Sequence, residues 1–372
     1  MKLVKLVKLV KLSMTKLTHI IQNIRGASLK EKVTFTRSLA LIVRAGMALP
    51  QGLEVLARQS GSALLRRTLG EIKDAVTKGE AFSEVLRKYP AIFSAFYISM
   101  VKTGELSGNL EKVLGELALQ MEKERALRSR VFGALMYPSV IFVVMLAVIT
   151  LMMIVVVPHL AKVFTEFNAT LPAPTRIVIA ISGIVTGYAP LAAGAVLIFV
   201  FAFWYAISKT VSGKHTFDWV IMHLPLVGGL SKKINAARIS RSLQTLVSSG
   251  IPITEGLITT SEVVKNSLYR NALVRASKQV EAGKELSGIL SESKSLFTPL
   301  MIELISIGEG TGTMDIILGN LAESYEDEVE RITKNLPALI EPILMIFIGA
   351  SVGFLAVAML QPIYTLSNSI NY

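Results

Sequence analysis

Apolar residues recur along the chain in two rhythms. In "LKEKVTFTRSLALIVRAG", Val33, Leu39, Ile42 and Val43 fall near one face of a helix, and Gly46 stands where that helix would stop. "SRSLQTLVSSG" repeats the pattern and the stop at Gly250. Turn signals around Gly79, Pro90 and Gly104 mark off further helices, each about 8–20 residues long. Sustained alternation with β-branched residues, the mark of strands, is absent. The second rhythm is unbroken apolar sequence. Val131 to Val157 carries no charge and exceeds the ~20 residues a spanning helix needs. Ile177 to Ile207 is also uncharged but is interrupted by "GYAP" at Gly187 to Pro190, where proline removes a donor. This predicts a short outer-surface helix before the break and a span over Leu191 to Ile207, anchored by Trp204 and Tyr205. Leu336 to Ile363 holds one charge, Glu341.

The chain also says most of this twice. "TGELSGNLEKVLGELA" from Thr103 answers "IGEGTGTMDIILGNLA" from Ile307, so that Gly104, Glu105, Gly108 and Gly115 recur as Gly308, Glu309, Gly312 and Gly319. The offset is 308 − 104 = 204, and it holds without a gap. Upstream, Arg37, Gly46 and Leu53 recur as Arg241, Gly250 and Leu257; downstream, Pro138 recurs as Pro342. One register held that long is an internal duplication of a helical region together with the apolar stretch that follows it.

Composition fits the second rhythm. Of 372 residues, 52% are hydrophobic and 18% charged, which is too apolar for an ordinary soluble surface. The net charge of +12 then reads as basic membrane flanks, and no pattern for nucleic acid accompanies it. Lys123, Arg125, Arg128 and Arg130 precede the first stretch, Lys209 and Lys214 follow the second, and Arg331 and Lys334 precede the third. The positive-inside bias therefore puts the N-terminus and both polar regions in the cytoplasm and the C-terminus outside, with three crossings. Each duplicated copy enters the membrane from the same side, and the unpaired middle span returns the chain between them. The expected organisation is an all-α membrane protein: a basic arm (1–28), a first cytoplasmic bundle (29–130), a span (131–157), an external loop with a short helix (158–190), a span (191–208), a second bundle (209–335), a span (336–363) and an external tail (364–372).

Catalytic patterns are missing. The chain has no cysteine, its four histidines are scattered, and no phosphate-binding G-x-x-x-x-G-K-[ST] occurs, since Gly213-Lys214 is followed by His215. No catalytic residue, cofactor or metal is expected. The repeated glycines read as helix stops and close-packing points, with Gly46 and Gly250 in left-handed conformation. Glu105 and Glu309 admit two readings: a carboxylate stabilised near a helix start, or a charged contact for a cytoplasmic partner. Glu341 lies about seven residues inside Lys334, roughly 10 Å at helical rise, which is deep enough that it is expected to face a protein interior or cavity. Pro342 beside it frees a backbone carbonyl. The alternative for Glu341 is snorkelling to the headgroups or pairing with a nearby cation. Glu124 with Arg128 and Glu330 with Lys334 are spaced as i,i+4 pairs.

The doubled "RSLALIVRAGMALPQGL" and "RSLQTLVSSGIPITEGL", the "GELSGNL" and "GEGTGTMD" turns, "ALMYPSVI", "PHLAKVFTEFNATLPAPTR" and "ALIEPILMIFIGASVGF" resemble the type II secretion protein F family, the inner-membrane platform proteins of type IV pilus and type II secretion machines. The resemblance runs from about Leu29 to near the end. It implies two cytoplasmic six-helix bundles, three spans and self-association as a dimer. It also implies contact with a hexameric pilus or secretion ATPase, with pilin or pseudopilin membrane helices and with other inner-membrane assembly proteins. Arg37 and Arg241, with Glu105, Glu309 and Glu341, are the candidate contacts. The leader "MKLVKLVKLVKLSMTKL", with a lysine every third residue, stands apart from the family pattern. It reads as a basic arm on anionic lipid, as a disordered tail, or as sequence ahead of a start at Met14. The acidic "ESYEDEVE" before the third span has no match in "LQMEKERA" before the first, so the two bundles are expected to meet different partners or faces. A transporter with duplicated halves is the alternative class, although one span per repeat is little membrane mass for a substrate path.

Overall fold

Ser28 caps the helix that starts at Leu29. Its hydroxyl accepts from the Glu31 amide at 3.2 Å while the Glu31 carboxylate accepts from the Ser28 amide at 2.8 Å, so two donors that a helix start leaves unpaired are satisfied together. The computed structural model describes residues 27–159, 161, 173–187, 210–224 and 227–370. These fall into two units, one drawn from residues up to Arg128 and from Asp218–Val329, the other from Ser129–Phe217 and from Glu330 onward.

The first unit holds both copies of the repeat. Copy one contains α1 (Leu29–Arg44), α2 (Leu49–Gln59), α3 (Ala63–Thr77), α4 (Phe82–Arg87), α5 (Ala95–Leu106) and the start of α6 (Leu110–Leu151). After α7 (Ala173–Gly187) and α8 (Val211–His223), copy two contains α9 (Val227–Ser248), α10 (Ile253–Val263), α11 (Ser267–Glu281), α12 (Leu286–Ser291), α13 (Pro299–Thr311) and the start of α14 (Met314–Ile370). Among the described residues each copy thus has the six helices expected, and there is no strand. The starts of α10 to α14 lie at the repeat offset from the starts of α2 to α6.

The cores repeat residue by residue. Leu39, Leu53, Leu69, Leu86, Leu114 and Leu117 are buried in the first bundle, and Leu243, Leu257, Leu273, Leu290, Leu318 and Leu321 are buried in the second. Each such side chain contributes about 1.5–3 kcal/mol when removed from water, which explains why these positions hold the register. Caps repeat as well: Ser94 accepts from the Tyr97 amide and Thr298 from the Met301 amide, both at 3.3 Å. Gly108 (φ 67°) and Gly312 (φ 71°) turn the chain in left-handed conformation between the last two helices of each copy, as Gly46 and Gly250 do after the first. Gly104 and Gly308 serve a different need. A Cβ on Gly104 would stand 3.2 Å from Leu110 Cα, and one on Gly308 would stand 3.3 Å from Met314 Cα, so the next helix start rests on the bare glycine.

One polar pair does not repeat. Thr36 donates to the buried Tyr97 hydroxyl at 3.3 Å, and burial pushes the Tyr97 phenol above its ordinary pKa. In copy two methionine stands at the Tyr97 position, as Met301, and the Ser240 hydroxyl is left buried without a partner.

In the second unit, α6 and α14 carry the apolar sequence, and both are long and apolar enough to cross a membrane. Pro138 lies within α6 without ending it. Beyond Leu151 the helix widens into a π segment, Met152–Val156. The helix expected at the outer surface forms as α7, and Val178 on it is buried against Val157, Leu355 and Ala358. Its hydroxyls close carbonyls on both long helices: Thr175 donates to Ala358 at 2.5 Å and Ser182 donates to Met153 in the π segment at 2.6 Å. The hydroxyl donors buried at this contact are thereby paired. α14 continues to Ile370, so most of the expected tail is helical. Of the arm expected at 1–28, residues 1–26 lie outside the described residues, as do the middle span expected at 191–208 and residues 160, 162–172 and 188–190 of the expected external loop.

Candidate interaction surfaces

Glu105 sits near the end of α5 but serves α4. Its carboxylate accepts from the Phe82 amide and, at 2.9 Å, from the Ser83 amide. Glu309 on α13 does the same for α12, accepting from the Leu286 amide and, at 2.8 Å, from the Ser287 amide. Each glutamate is thus a helix-start carboxylate supplied from another helix, more than twenty residues along the chain. Ala81 and Glu285, the cap positions before α4 and α12, offer no side-chain cap, and the distant carboxylate takes that role.

The two arginines differ sharply. Arg37 reaches Glu122 on α6 at 2.9 Å and remains 67% exposed. Arg241 grips Glu326 on α14 through two bonds, at 2.9 and 3.1 Å, and is only 15% exposed. The same pair has been written twice, with the same 85-residue separation, yet only the second copy is enclosed. It is enclosed by the first bundle. Lys123 on α6 also reaches Glu326 at 3.2 Å, and Arg238 on α9 makes a two-pronged contact with Glu124 at 2.9 and 3.0 Å. Further along, Gln120 donates to Ser242 at 3.3 Å and Ser249 donates to Glu116 at 2.7 Å. Leu246 and Ile251 complete the seam by joining the core of the first bundle. The bundles therefore meet through α6 of copy one against α9 of copy two, with the Glu124 carboxylate on α6 held by the Arg238 guanidinium on α9.

This seam was not visible from the arginines alone. What the repeat could have shown is the pair within each copy, since Glu122 and Glu326 also stand at the repeat offset and the partner of each arginine was repeated with it. Of the expected i,i+4 pairs, Glu124 and Arg128 meet at 2.7 Å. Glu330 does not pair with Lys334; it turns to Arg130 at 2.7 Å, because α6 and α14 each present a charge at that level. In the acidic run, Glu326 and Glu328 are taken by Arg241 and Lys233, while Glu323 and Asp327 are exposed. Beside the seam, Lys32 is half-buried against the Ile92 carbonyl; burial holds its ammonium below the usual lysine pKa, and Arg128 adds to this.

Glu341 lies on α14, exposed on the surface of the described residues instead of enclosed, as does Tyr137 at the matching position of α6. Pro342 follows it within the unbroken helix. No group of histidine, aspartate or glutamate among the described residues is arranged to hold a metal ion.

Two copies of a six-helix bundle joined by a polar seam, each leading into an apolar helix, define a duplicated helical membrane protein. The chain belongs to the family described as type II secretion system protein F: the family model matches residues 35–158 and again residues 239–362, a second match displaced by the repeat offset. It is 32% identical over 350 residues to the type IV pilus assembly protein PilC of Myxococcus xanthus, covering 94% of this chain and 84% of that one. It is 35% identical over 348 residues to PilC of Thermus thermophilus, covering 93% and 85%. It is 33% identical over 349 residues to the type II secretion system protein F of Aeromonas hydrophila, covering 93% and 89%.

Proposed function

We infer that the chain is the platform protein of a type IV pilus or type II secretion machine in a bacterial inner membrane. It couples a cytoplasmic hexameric ATPase to the insertion or withdrawal of pilin or pseudopilin subunits, and it performs no chemistry of its own. The observation that carries this reading is the double family match, which falls on both bundles and on the apolar helix leading from each. Relatives at about one-third identity over most of the chain are named for pilus assembly and for secretion alike. Nothing supports the transporter alternative.

In this reading both bundles and the N-terminus lie in the cytoplasm and the C-terminus lies outside. The cationic flanks of the apolar stretches favour that sidedness. The work is mechanical. Nucleotide-driven motion of the ATPase displaces the bundles, and α6 and α14 carry the displacement onward, since a continuous helix transmits movement better than a flexible linker. The seam lets the two bundles move as one body. Glu341, a carboxylate in apolar sequence that is exposed among the described residues, is read as a contact for a pilin membrane helix.

Deleting the gene and complementing it tests both levels. The deletion strain loses pili or secretion with ATPase and pilin at normal levels; the wild-type gene restores them, and Glu341→Gln restores them at least tenfold less well at equal protein level. Normal pili and secretion in the deletion strain would end the platform reading. Full rescue by Glu341→Gln would end only the role given to that carboxylate.

A further inference from the structure

α8 rests on the second bundle by one side and leaves an apolar side open. On the inner side Asp218 accepts from the Ser267 amide and hydroxyl, each at 2.7 Å, and Met222 enters the second core. The turn into α9 keeps the helix close: the Gly228 amide donates to the Leu224 carbonyl at 2.8 Å, and a Cβ on Gly228 would run into the Met222 carbonyl oxygen. The outer side is different. Trp219, Val220 and Leu224 share it, one and five positions apart, and Val227 follows at the head of α9. Trp219 is 53% exposed and the other three are exposed as well. His223 lies against the Trp219 ring, with centroids 4.3 Å apart, so the indole is held on that face.

Two contacts fix the level at which α8 sits. Lys233, in the second turn of α9, pairs with Glu328 at 2.5 Å, and Glu328 stands eight residues before the apolar stretch at Leu336, about 12 Å at helical rise. The turn after α10 lines one cavity with Arg128, through Glu262, Val263 and Lys265, and Arg128 stands three residues before the apolar stretch at Val131. Ser267, which Asp218 holds, follows directly on that turn. α8 is therefore at the end of the bundles from which α6 and α14 leave. In sequence it follows the expected middle span at 191–208.

Charge around the open face has one sign. Between Glu166 and Glu255 the only acidic residue is Asp218, and its carboxylate is spent inward on Ser267. Lys209, Lys214 and Lys232 lie near α8 in sequence. An indole and aliphatic side chains set among cations match the headgroup zone of an anionic bilayer, which takes the rings and chains below its phosphates and the ammonium groups on them. We propose that α8 lies along the anionic lipid surface, with Trp219, Val220, Leu224 and Val227 in the headgroup zone and the neighbouring lysines on lipid phosphates. The second bundle is then pinned to the bilayer as well as tethered to it by α14. This goes beyond the machine role proposed above and does not require it.

The chain has no cysteine, so one introduced cysteine carries one fluorophore. Full-length Leu224→Cys, labelled with a nitrobenzoxadiazole, is reconstituted in vesicles of phosphatidylcholine and anionic phosphatidylglycerol that contain lipid with a nitroxide near the headgroup. Leu106→Cys is the reference, an exposed position at the turn before α6, at the end of the bundle away from the apolar helices. The label at 224 is expected to be quenched about threefold more than the label at 106. Replacing phosphatidylglycerol by phosphatidylcholine, or adding Lys214→Gln with Lys232→Gln, should remove about half of that excess. Adding Trp219→Asp with Val220→Asp, which leaves Asp218 and Met222 in place, should bring quenching down to the reference. Quenching at 224 no greater than at 106, or unchanged by any of these changes, would overturn the proposal. So would stronger quenching from a nitroxide deep in the acyl chain, or shielding of the label in native membranes that pure lipid does not reproduce, which would give the face to a protein.

Discussion

Glu105 and Glu309 show how a single residue can be repeated for a reason that lies elsewhere in the chain. Each supplies a carboxylate to the first amides of a short helix that lacks its own cap. Hydrogen bonds to a charged group contribute about 1.5–3 kcal/mol apiece, and a partly buried amide left unpaired costs a similar amount. Glu105→Ala and Glu309→Ala should therefore each lower stability by about 2 kcal/mol in chemical unfolding of the detergent-solubilised chain. Glutamine substitutions, which keep one acceptor oxygen, should cost less than half of that. An alanine variant as stable as the wild type would mean that the caps contribute nothing. Of the two readings open from the sequence, the carboxylate at a helix start describes where both side chains go. The helix they serve could not be read, because the contact spans more than twenty residues and leaves no periodic trace.

At the scale of elements, the repeat fixed most of what could be known in advance. Helix stops at Gly46 and Gly250, the buried leucines and the matching helix starts all follow from local pattern, since helices are set by neighbours three and four positions away. The meeting of α6 with α9 was not legible. It depends on which face of each copy turns inward, and an exact repeat says only that the faces are alike. Arg37 and Arg241 make the point, being equivalent in sequence and opposite in exposure. Arg241→Ala strips a nearly buried carboxylate of its main partner, so its cost should be about 3 kcal/mol, at the low end for broken buried pairs because Lys123 remains. Arg37→Ala should cost below about 1 kcal/mol. Equal unfolding midpoints for the two variants would show that the enclosure of Arg241 carries no energetic weight.

At the scale of the molecule, the account rests on both bundles lying on one side of a membrane, where a single cytoplasmic motor can act on them as one body. Residues 1–26 and 191–208, which lie outside the described structure, bear on that only through their sequence, and so sidedness must be measured. The cysteine-free chain again helps. Lys78 and Ala282 stand at equivalent exposed positions just after α3 and α11. Single cysteines at these two places, treated with a membrane-impermeant maleimide, should both label in sealed inverted inner-membrane vesicles and neither should label in intact spheroplasts. Labelling of one position from each side would contradict the account, because bundles on opposite faces of a bilayer could neither share the seam through Arg238 and Glu124 nor answer to one motor.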